Sequence, residues 1–357
     1  LSTGVKTRHP PKISRMNTQA PTHRPSRITR AIALLEYLAP AWFAMVMGWC
    51  GLSQAWLRAT DIFGDTALGL GLIAAIFAQL IFVLLCLACI VRLQVHPNAV
   101  AADMRHPVRH AFMATLPVSI LLLASLGINL FWGTDRTLDT ALTFLWCVGS
   151  VLEVAATAWV ISRWLKASEN GGIQWATFTP VFFIPVVGNV LAPLGGVSIG
   201  LEAWATAQFG VGLFLWVVLQ TLFFVRLAQA GPLPARLAPS LFITIVPPSI
   251  SGLSLLQLDA PLTAAWMMWG IGAFFLLLAL TQIAAIREQP FSMAHWGMSF
   301  PLAAFTSLTL RMTHAPGGAW LQIPATLLLA ITSLLIVGLT LNTWHGLRHG
   351  HLLAPEK

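Results

Sequence analysis

Charged residues are scarce in this sequence: they make up 9% of the 357 residues, whereas apolar residues make up 57%. Ordinary soluble domains carry roughly 25% charged and about 45–50% apolar residues. A soluble protein of this length could not bury so much apolar surface, so the composition excludes an ordinary soluble fold. Apolar runs recur from Ala31 to Trp344 without a polar block long enough to fold separately, which predicts a single membrane domain over residues 31–344.

Metal and redox ligands are also few, with four cysteines in the chain. Cys86 and Cys89 lie one helical turn apart, but a metal or redox site needs further ligands or an aqueous setting. His106 and His110 lack a carboxylate or cysteine to complete a site, so we interpret them as part of a cytosolic rim. We therefore predict no metal and no cofactor. We also predict no enzyme, because no nucleophile, base and orienting group converge on one predicted face.

Acidic residues are absent from the first thirty positions, which carry seven basic residues and four prolines. Such a segment cannot bury enough surface to fold, so residues 1–30 are predicted to be a disordered cytoplasmic tail. We expect the tail to lie on anionic lipid heads rather than on nucleic acid. The apolar stretch that begins at Ala31 is too long for a signal peptide. Because the chain opens on Leu1, Met16 is a candidate start.

Ten apolar runs approach or exceed the length of about 20 residues that a helix needs to cross the hydrocarbon core. Their approximate limits are 31–56, 66–93, 107–131, 139–164, 177–198, 205–228, 238–256, 262–286, 292–311 and 320–344. The sequence therefore predicts an all-α integral membrane protein with ten transmembrane helices and a short cytoplasmic tail at 345–357.

The loops between these runs carry charge asymmetrically. With ten spans both termini share one side, and that side holds 17 of the 20 Lys and Arg residues; the other side holds Arg58, Arg136 and Arg311. Cytoplasmic loops collect Lys and Arg, so both termini are predicted to be cytoplasmic.

Proline falls inside alternate runs only. The odd-numbered runs contain these prolines in order along the chain: Pro40, Pro117, Pro185, Pro193, Pro247, Pro248 and Pro301. Proline removes a backbone donor and kinks a helix, and kinked backbone belongs against protein or a watery cavity rather than lipid. The pattern predicts five helical hairpins, in which kinked odd helices surround a central pore and straight even helices lie outside.

Five motifs lie on the odd-numbered runs: FAMVMGWCGLSQAW (Phe43–Trp56), HPVRHAF (His106–Phe112), TPVFFIPVVGNVLAP (Thr179–Pro193), VPPSISGL (Val246–Leu253) and SFPLAAFTSLTL (Ser299–Leu310). Together they resemble the bacterial tellurite-resistance and plant slow-anion-channel family, whose members are also named C4-dicarboxylate or malic acid transporters. The resemblance covers about residues 31–344.

The resemblance implies a homotrimer in the bacterial inner membrane, with a pore in each protomer that a phenylalanine on the ninth helix plugs. Phe300 is the matching residue, and Phe43 matches an aromatic residue that also faces the pore. The channel members commonly have glycine at the next position, where this chain has Ala44, so the added methyl would narrow the lumen. Without the resemblance, Phe300 would be interpreted as an ordinary core phenylalanine.

We expect the pore to be lined by residues of the odd helices: Pro40, Phe43, Ala44, Pro117, Pro185, Asn189, Pro247, Pro248 and Pro301. No Lys or Arg lies in the middle of an odd run, so anion selectivity would rest on helix dipoles and polar groups. The polar groups expected to contribute are Ser119, Thr179, Asn189, Thr244, Ser249 and Ser251. Arg105 and Arg109 would form a basic cytoplasmic rim that concentrates anions.

Two acidic residues lie within the runs. Glu36, near the cytoplasmic end of the first, is expected to pair with a basic residue of the rim. Glu153 lies deeper on an outer run, where a subunit contact or an interhelical hydrogen bond is favoured over a proton relay.

The predicted function is a gated channel for small monovalent anions such as chloride and nitrate, with the lipid bilayer and these anions as partners. The alternative is a proton-coupled transporter or exporter of dicarboxylate, sulfite or tellurite oxyanions. The two differ because a carrier saturates and couples uphill to a proton gradient, whereas a channel dissipates a gradient.

Overall fold

A computed structural model describes residues 32–165 and 175–354, and this part of the chain is helical, with no β-strand. The α-helices are, in chain order, α1 (Ala44–Arg58), α2 (Thr60–Val95), α3 (Pro97–Arg105), α4 (Thr115–Phe131), α5 (Arg136–Ser162), α6 (Ile184–Val190), α7 (Pro193–Gly196), α8 (Glu202–Ala230), α9 (Val246–Gln257), α10 (Leu262–Leu280), α11 (Ile283–Arg287), α12 (Ser299–Met312) and α13 (Gln322–Arg348). The predicted tail at 1–30 lies outside the described residues.

Five 3₁₀ segments each run directly into a buried α-helix. They are Pro40–Phe43 before α1, Arg109–Ala114 before α4, Pro180–Phe183 before α6, Ala235–Ile245 before α9 and Met293–Met298 before α12. Each pair forms one continuous helical run, and the third run continues through Leu191 and Ala192 into α7. We call these five runs, the third including α7, the inner segments.

In four of the five inner segments a proline lies where the 3₁₀ run changes to α-helix. Pro117, Pro185, Pro247 and Pro301 each lie in the first turn of an α-helix, where the backbone N–H would have no intrahelical partner. These prolines therefore coincide with a change of helix type near mid-segment, and the kinks stay a prediction.

Burial separates the inner segments from the long helices α2, α5, α8, α10 and α13, which we call the outer helices. In the most apolar window, 78% of the residues of Arg109–Phe131 and 83% of those of Ala235–Gln257 are buried, against 17% for α2 and 28% for α8. A helix that is apolar all round yet exposed in a single chain is suited to lipid. Burial thus alternates along the described chain in the same order as proline, and the arrangement of five hairpins around a pore stays a prediction.

Seven described helices are long and apolar enough to span a membrane, which confirms an all-α membrane protein. The other three predicted spans, near 40–58, 180–196 and 293–312, each consist of a 3₁₀ segment followed by shorter α-helix. The count of ten spans stays a prediction. One further difference is that the eighth predicted span ends early, because α10 stops at Leu280 before the separate α11.

Small residues allow α1 and α12 to pack closely. A Cβ atom placed on Gly48 would lie 2.8 Å from Ser299 Cβ, and one on Gly51 would lie 2.8 Å from Ala303 Cβ. Both distances are shorter than real Cβ contacts, so only glycine permits this approach, as is typical of helix pairs in membranes.

Hydrogen bonds between helix ends and loops show which of them lie at the same end of the bundle. At one end Arg92 donates to the Glu36 carbonyl (3.0 Å), and Arg163 donates to the Met104 carbonyl (3.0 Å). Glu36 thus contacts a basic residue as expected, but through its backbone oxygen, and its carboxylate forms no ion pair in the described residues. At the other end Asn129 donates to Gln54 (3.1 Å).

Candidate anion pathway

Two cavities lie between the inner segments, and residues from all five segments line each of them. The large cavity leaves ≈ 90 Å³ for water-sized groups and is bordered by Ala44, Phe112, Val187, Val246 and Pro301, among others. The small cavity leaves ≈ 20 Å³ and is bordered by Gly51, Leu122, Leu194, Leu253 and Ala304, among others. The residue order along each segment places the large cavity at the Arg92 end and the small cavity at the Gln54 end.

Phe300 borders both cavities and is 4% exposed. Its ring reaches from α12 to α1, where a Cβ atom on Gly51 would lie 3.0 Å from Phe300 Cδ2. Phe305 differs, because it stacks on Trp269 of the outer helix α10 and borders neither cavity. The two phenylalanines of α12 therefore occupy different surroundings, one between the cavities and one in the packing between inner and outer layers.

The two cavities differ in chemistry. The lining of the large cavity is almost wholly apolar, and its one hydroxyl, on Ser240, donates to the Leu237 carbonyl (2.6 Å). The small cavity is lined by Arg58, Gln54 and the hydroxyl residues Ser125 and Ser307. Arg58 is the one charged residue in either lining among the described residues, and no carboxylate lines either cavity there.

Arg58 was missed because the sequence assigned it to a loop beyond the first span. It is in fact the last residue of α1 and borders the small cavity. The spacing of Gly51, Gln54 and Arg58 at positions i, i+3 and i+7 places them on one face of a helix. This spacing was the feature of the sequence that indicated a shared face for Arg58, Gln54 and Gly51.

The predicted basic rim is partly neutralised. Asp103, which is buried, accepts from Arg92 (2.7 Å) and forms an ion pair with Arg109 (3.3 Å). Arg105 is exposed, and its backbone carbonyl accepts from Arg163 (3.2 Å). Neither Arg105 nor Arg109 lines a cavity. The sequence analysis did not identify Asp103 as their neighbour.

This geometry can be compared with that of known proteins. A family model described as voltage-dependent anion channel matches residues 37–344. The chain belongs to this family. The predicted resemblance is therefore confirmed, and the molecule is a multi-pass membrane protein of an anion channel and transporter family.

Several named proteins are similar to this chain. The S-type anion channel SLAH2 of Arabidopsis thaliana is 26% identical over 247 residues, which cover 68% of this chain and 46% of the plant protein. The tellurite resistance protein TehA homolog of Haemophilus influenzae is 22% identical over 280 residues, covering 78% and 82%. The sulfite efflux pump SSU1 of Trichophyton rubrum is 24% identical over 313 residues, covering 76% and 81%.

Of the residues expected to line the pore, the structure places Ala44 and Pro301 in the lining of the large cavity. Phe43 is buried, but its ring packs edge-on against Phe82 of the outer helix α2 and borders neither cavity. The remaining predicted prolines do not border a cavity either: Pro40, Pro117, Pro185, Pro247 and Pro248. They shape the inner segments rather than present a surface to the axis.

Asn189 faces outward instead of toward the axis. Its side-chain amide donates to Thr157 on α5 (2.7 Å) and to the Pro185 carbonyl (2.9 Å), and its oxygen accepts from Gln208 on α8 (3.3 Å). These bonds satisfy the amide and tie α6 to two outer helices, so Asn189 is not available to an ion in the cavities.

The hydroxyls expected to provide selectivity also lie outside the cavity linings. Ser119, Thr244 and Ser249 each donate to a carbonyl of the preceding turn of their own segment, at 2.7 Å. Thr179 and Ser251 are buried without a described partner, but neither borders a cavity. Such local bonds are common for Ser and Thr within helices and bend them.

His110 is not part of a solvated rim as predicted, because it is 3% exposed. Its ring packs edge-on against Trp159 and Phe182, so it belongs to the packing between segments.

Glu153 is fully buried within a single protomer, which contradicts a role in a subunit contact. Its carboxyl oxygens have no hydrogen-bond partner in the described part of the chain, so the expected interhelical bond is also absent there. The side chain lies against Gly188 of α6, where an added Cβ atom would overlap the Glu153 carboxyl group.

Proposed function

We propose that this protein is a gated channel for small monovalent anions such as chloride and nitrate, and that each protomer holds a pore closed at Phe300. The observation that supports this most directly is that one side chain, Phe300, borders two cavities that all five inner segments line. A phenyl ring in an apolar constriction excludes water as well as ions, because such constrictions close by dewetting. Movement of this one ring would join the cavities into a continuous path.

The chemistry of the linings supports anions over cations. A cation pathway is usually marked by rings of Asp or Glu, whereas the described linings contain Arg58 and no acid. The family membership and the plant relative named an S-type anion channel agree with this choice.

The proposal is tested by anion efflux from proteoliposomes that contain wild type, Phe300→Ala or Phe305→Ala. Phe300→Ala should raise chloride and nitrate efflux about tenfold or more, because truncation opens the constriction. Phe305→Ala should leave efflux near the wild-type level and lower thermal stability, since losing a core phenylalanine costs about 3–5 kcal/mol. Equal efflux from both variants, or no rise in either, would refute Phe300 as the gate.

A proton-coupled carrier or exporter for sulfite, tellurite or dicarboxylates is the second candidate. It is favoured by a relative named as a sulfite efflux pump and by the buried, unpaired Glu153, which a proton could neutralise. A carrier would saturate with substrate and accumulate it against a gradient when a proton gradient is imposed, and Glu153→Gln would abolish that coupling. A channel would only dissipate the anion gradient.

We further propose a homotrimer in the bacterial inner membrane with both termini cytoplasmic. The basic loops support this orientation, and the exposed apolar surfaces of the outer helices can contact either lipid or a neighbouring protomer. The large cavity would then open toward the cytoplasm.

A further inference from the structure

We propose that the small cavity is a binding site for one monovalent inorganic anion, held by the guanidinium of Arg58 and the hydroxyls of Ser125 and Ser307. This site rests on the proposed anion pathway and adds to it a specific place where the ion pauses, on the side of Phe300 opposite to the large cavity.

The Arg58 guanidinium is oriented but not neutralised. One of its terminal nitrogens, Nη1, donates to Gln54 Oε1 (2.8 Å) and to the Gln54 carbonyl (3.2 Å), and Asn129 donates to the same Oε1 (3.1 Å). Arginine carries five N–H donors in a fixed fork, so donors remain for a ligand. No carboxylate lies within 4.0 Å of Arg58 in the described ranges. The charge that acts on Arg58 is that of Arg311, which is also positive. Two positive groups without a counter-charge favour an anion.

The two serines provide a second, independent observation. Ser125 on α4 and Ser307 on α12 both line the small cavity and are 2% exposed, yet neither hydroxyl has a hydrogen-bond partner among the described residues. The hydroxyl in the large cavity, on Ser240, is satisfied by its own segment. A buried polar group left without a partner costs about 1–3 kcal/mol. A bound anion that accepts from both hydroxyls would offset this cost.

The charge and size of the site indicate which anion it takes. One arginine lines the cavity, so a monovalent anion is balanced there, whereas a dicarboxylate would leave its second carboxylate facing Leu122, Leu194 or Leu253. The cavity leaves ≈ 20 Å³ for water-sized groups, about the room that one bound water needs, so it suits a small inorganic anion such as chloride or nitrate. Guanidinium and hydroxyl donors are suited to either ion, and planar nitrate can also bind an arginine fork through two oxygens.

Anion binding can be measured without transport. The purified full-length protein in detergent is titrated with sodium nitrate, sodium chloride or sodium malate at constant ionic strength, with gluconate as the replacement anion, and thermal unfolding is followed. A ligand that binds the folded state raises the unfolding temperature in a saturable way. Wild type should show saturable stabilisation by nitrate and chloride but not by malate.

Variants then locate the site. Arg58→Gln should weaken nitrate binding about tenfold or more, Arg58→Lys should restore part of it, and Ser125→Ala combined with Ser307→Ala should weaken it severalfold. Arg136→Gln is the matched control, because this exposed arginine at the start of α5 does not line the cavity, and the nitrate affinity of this variant should stay within about twofold of wild type.

Unchanged affinity in Arg58→Gln, or an equal loss in Arg136→Gln, would overturn the site, as would stabilisation by malate equal to that by nitrate. If Arg58→Gln does not fold, the serine variants and Arg58→Lys decide: unchanged affinity in both refutes the site. Efflux through Phe300→Ala without Arg58-dependent binding would leave the channel standing and refute the site. Arg58-dependent binding without efflux would support the site and refute the channel.

Discussion

The two cavities are lined by the same five inner segments and both border Phe300, but they differ in size and in chemistry. The large cavity is apolar and its single hydroxyl already donates to a backbone carbonyl, so the cavity has room for an ion but no group to bind it. The small cavity leaves ≈ 20 Å³ for water-sized groups against ≈ 90 Å³ in the large one, and its lining contains Arg58 and two unsatisfied hydroxyls. The comparison suggests that one side of Phe300 determines how easily an ion arrives and the other determines which ion is held.

The two ends of the bundle also differ in how their charges are used. At the large-cavity end the buried Asp103 binds Arg92 and Arg109 and fixes the loop around α3. At the small-cavity end the pair Asp61–His314 (3.4 Å) is exposed, and Arg58 has no acidic partner in the described residues. Arginines thus pair with a buried acid at one end, whereas Arg58 at the other end is held by Gln54 without a counter-charge in the described residues.

The largest effect is expected from breaking the buried ion pairs. Asp103→Asn would leave Arg92 buried without a counter-charge, and loss of one partner of such a pair costs about 3–5 kcal/mol. Asp61→Asn is the control at the other end, where an exposed pair contributes about 0–1 kcal/mol. Thermal unfolding in detergent should show a large drop for Asp103→Asn alone. Similar drops for both would contradict the difference between the two ends.

A smaller effect is expected from added bulk in the two cavities. In the Phe300→Ala background, Ala304→Phe places a phenyl ring in the small cavity, and Ala44→Phe places one in the large cavity. The first should reduce chloride efflux about tenfold and the second less than about threefold, because the large cavity has more room. The reverse order would show that the narrow part of the path lies on the other side of Phe300.

The smallest effect is expected from the arginines near the large cavity. Arg105→Gln combined with Arg109→Gln should lower anion current by about twofold or less at ~0.01 M salt, because Asp103 already offsets Arg109. The loss should vanish near ~0.1 M salt, where charges are screened beyond about 10 Å. Bilayer recordings at the two salt concentrations test this, and a salt-independent loss would mean that the variants alter the structure instead.

The sequence predicted the layers of the fold better than the direction of individual side chains. Alternating prolines identified the inner segments because a missing N–H has a fixed structural consequence wherever it occurs. Asn189 was assigned to the pore because uniformly apolar helices do not reveal which face meets a neighbour, and Phe43 because it matches an aromatic residue that faces the pore in the family. Their partners, Gln208 and Phe82, lie on helices whose packing the sequence does not specify.

The position of Phe300 was found through family motifs rather than from its own surroundings, and its contact with both cavities became visible only in the structure. Arg58 shows the opposite case. Loop charge was interpreted as a topology signal, although the helix continues to Arg58 and brings it to the cavity wall.

The most direct measurement asks whether Phe300 separates the two cavities. In a chain whose four cysteines are replaced by alanine, Ala44→Cys reports on the large cavity and Ala304→Cys on the small one. A charged, membrane-impermeant thiol reagent is applied to oriented vesicles from either side. With Phe300 present, Ala44→Cys should react only from the side of the chain termini and Ala304→Cys only from the opposite side. Adding Phe300→Ala should make both positions reactive from both sides, whereas reaction from one common side, or access that Phe300→Ala does not change, would contradict a single path closed at Phe300.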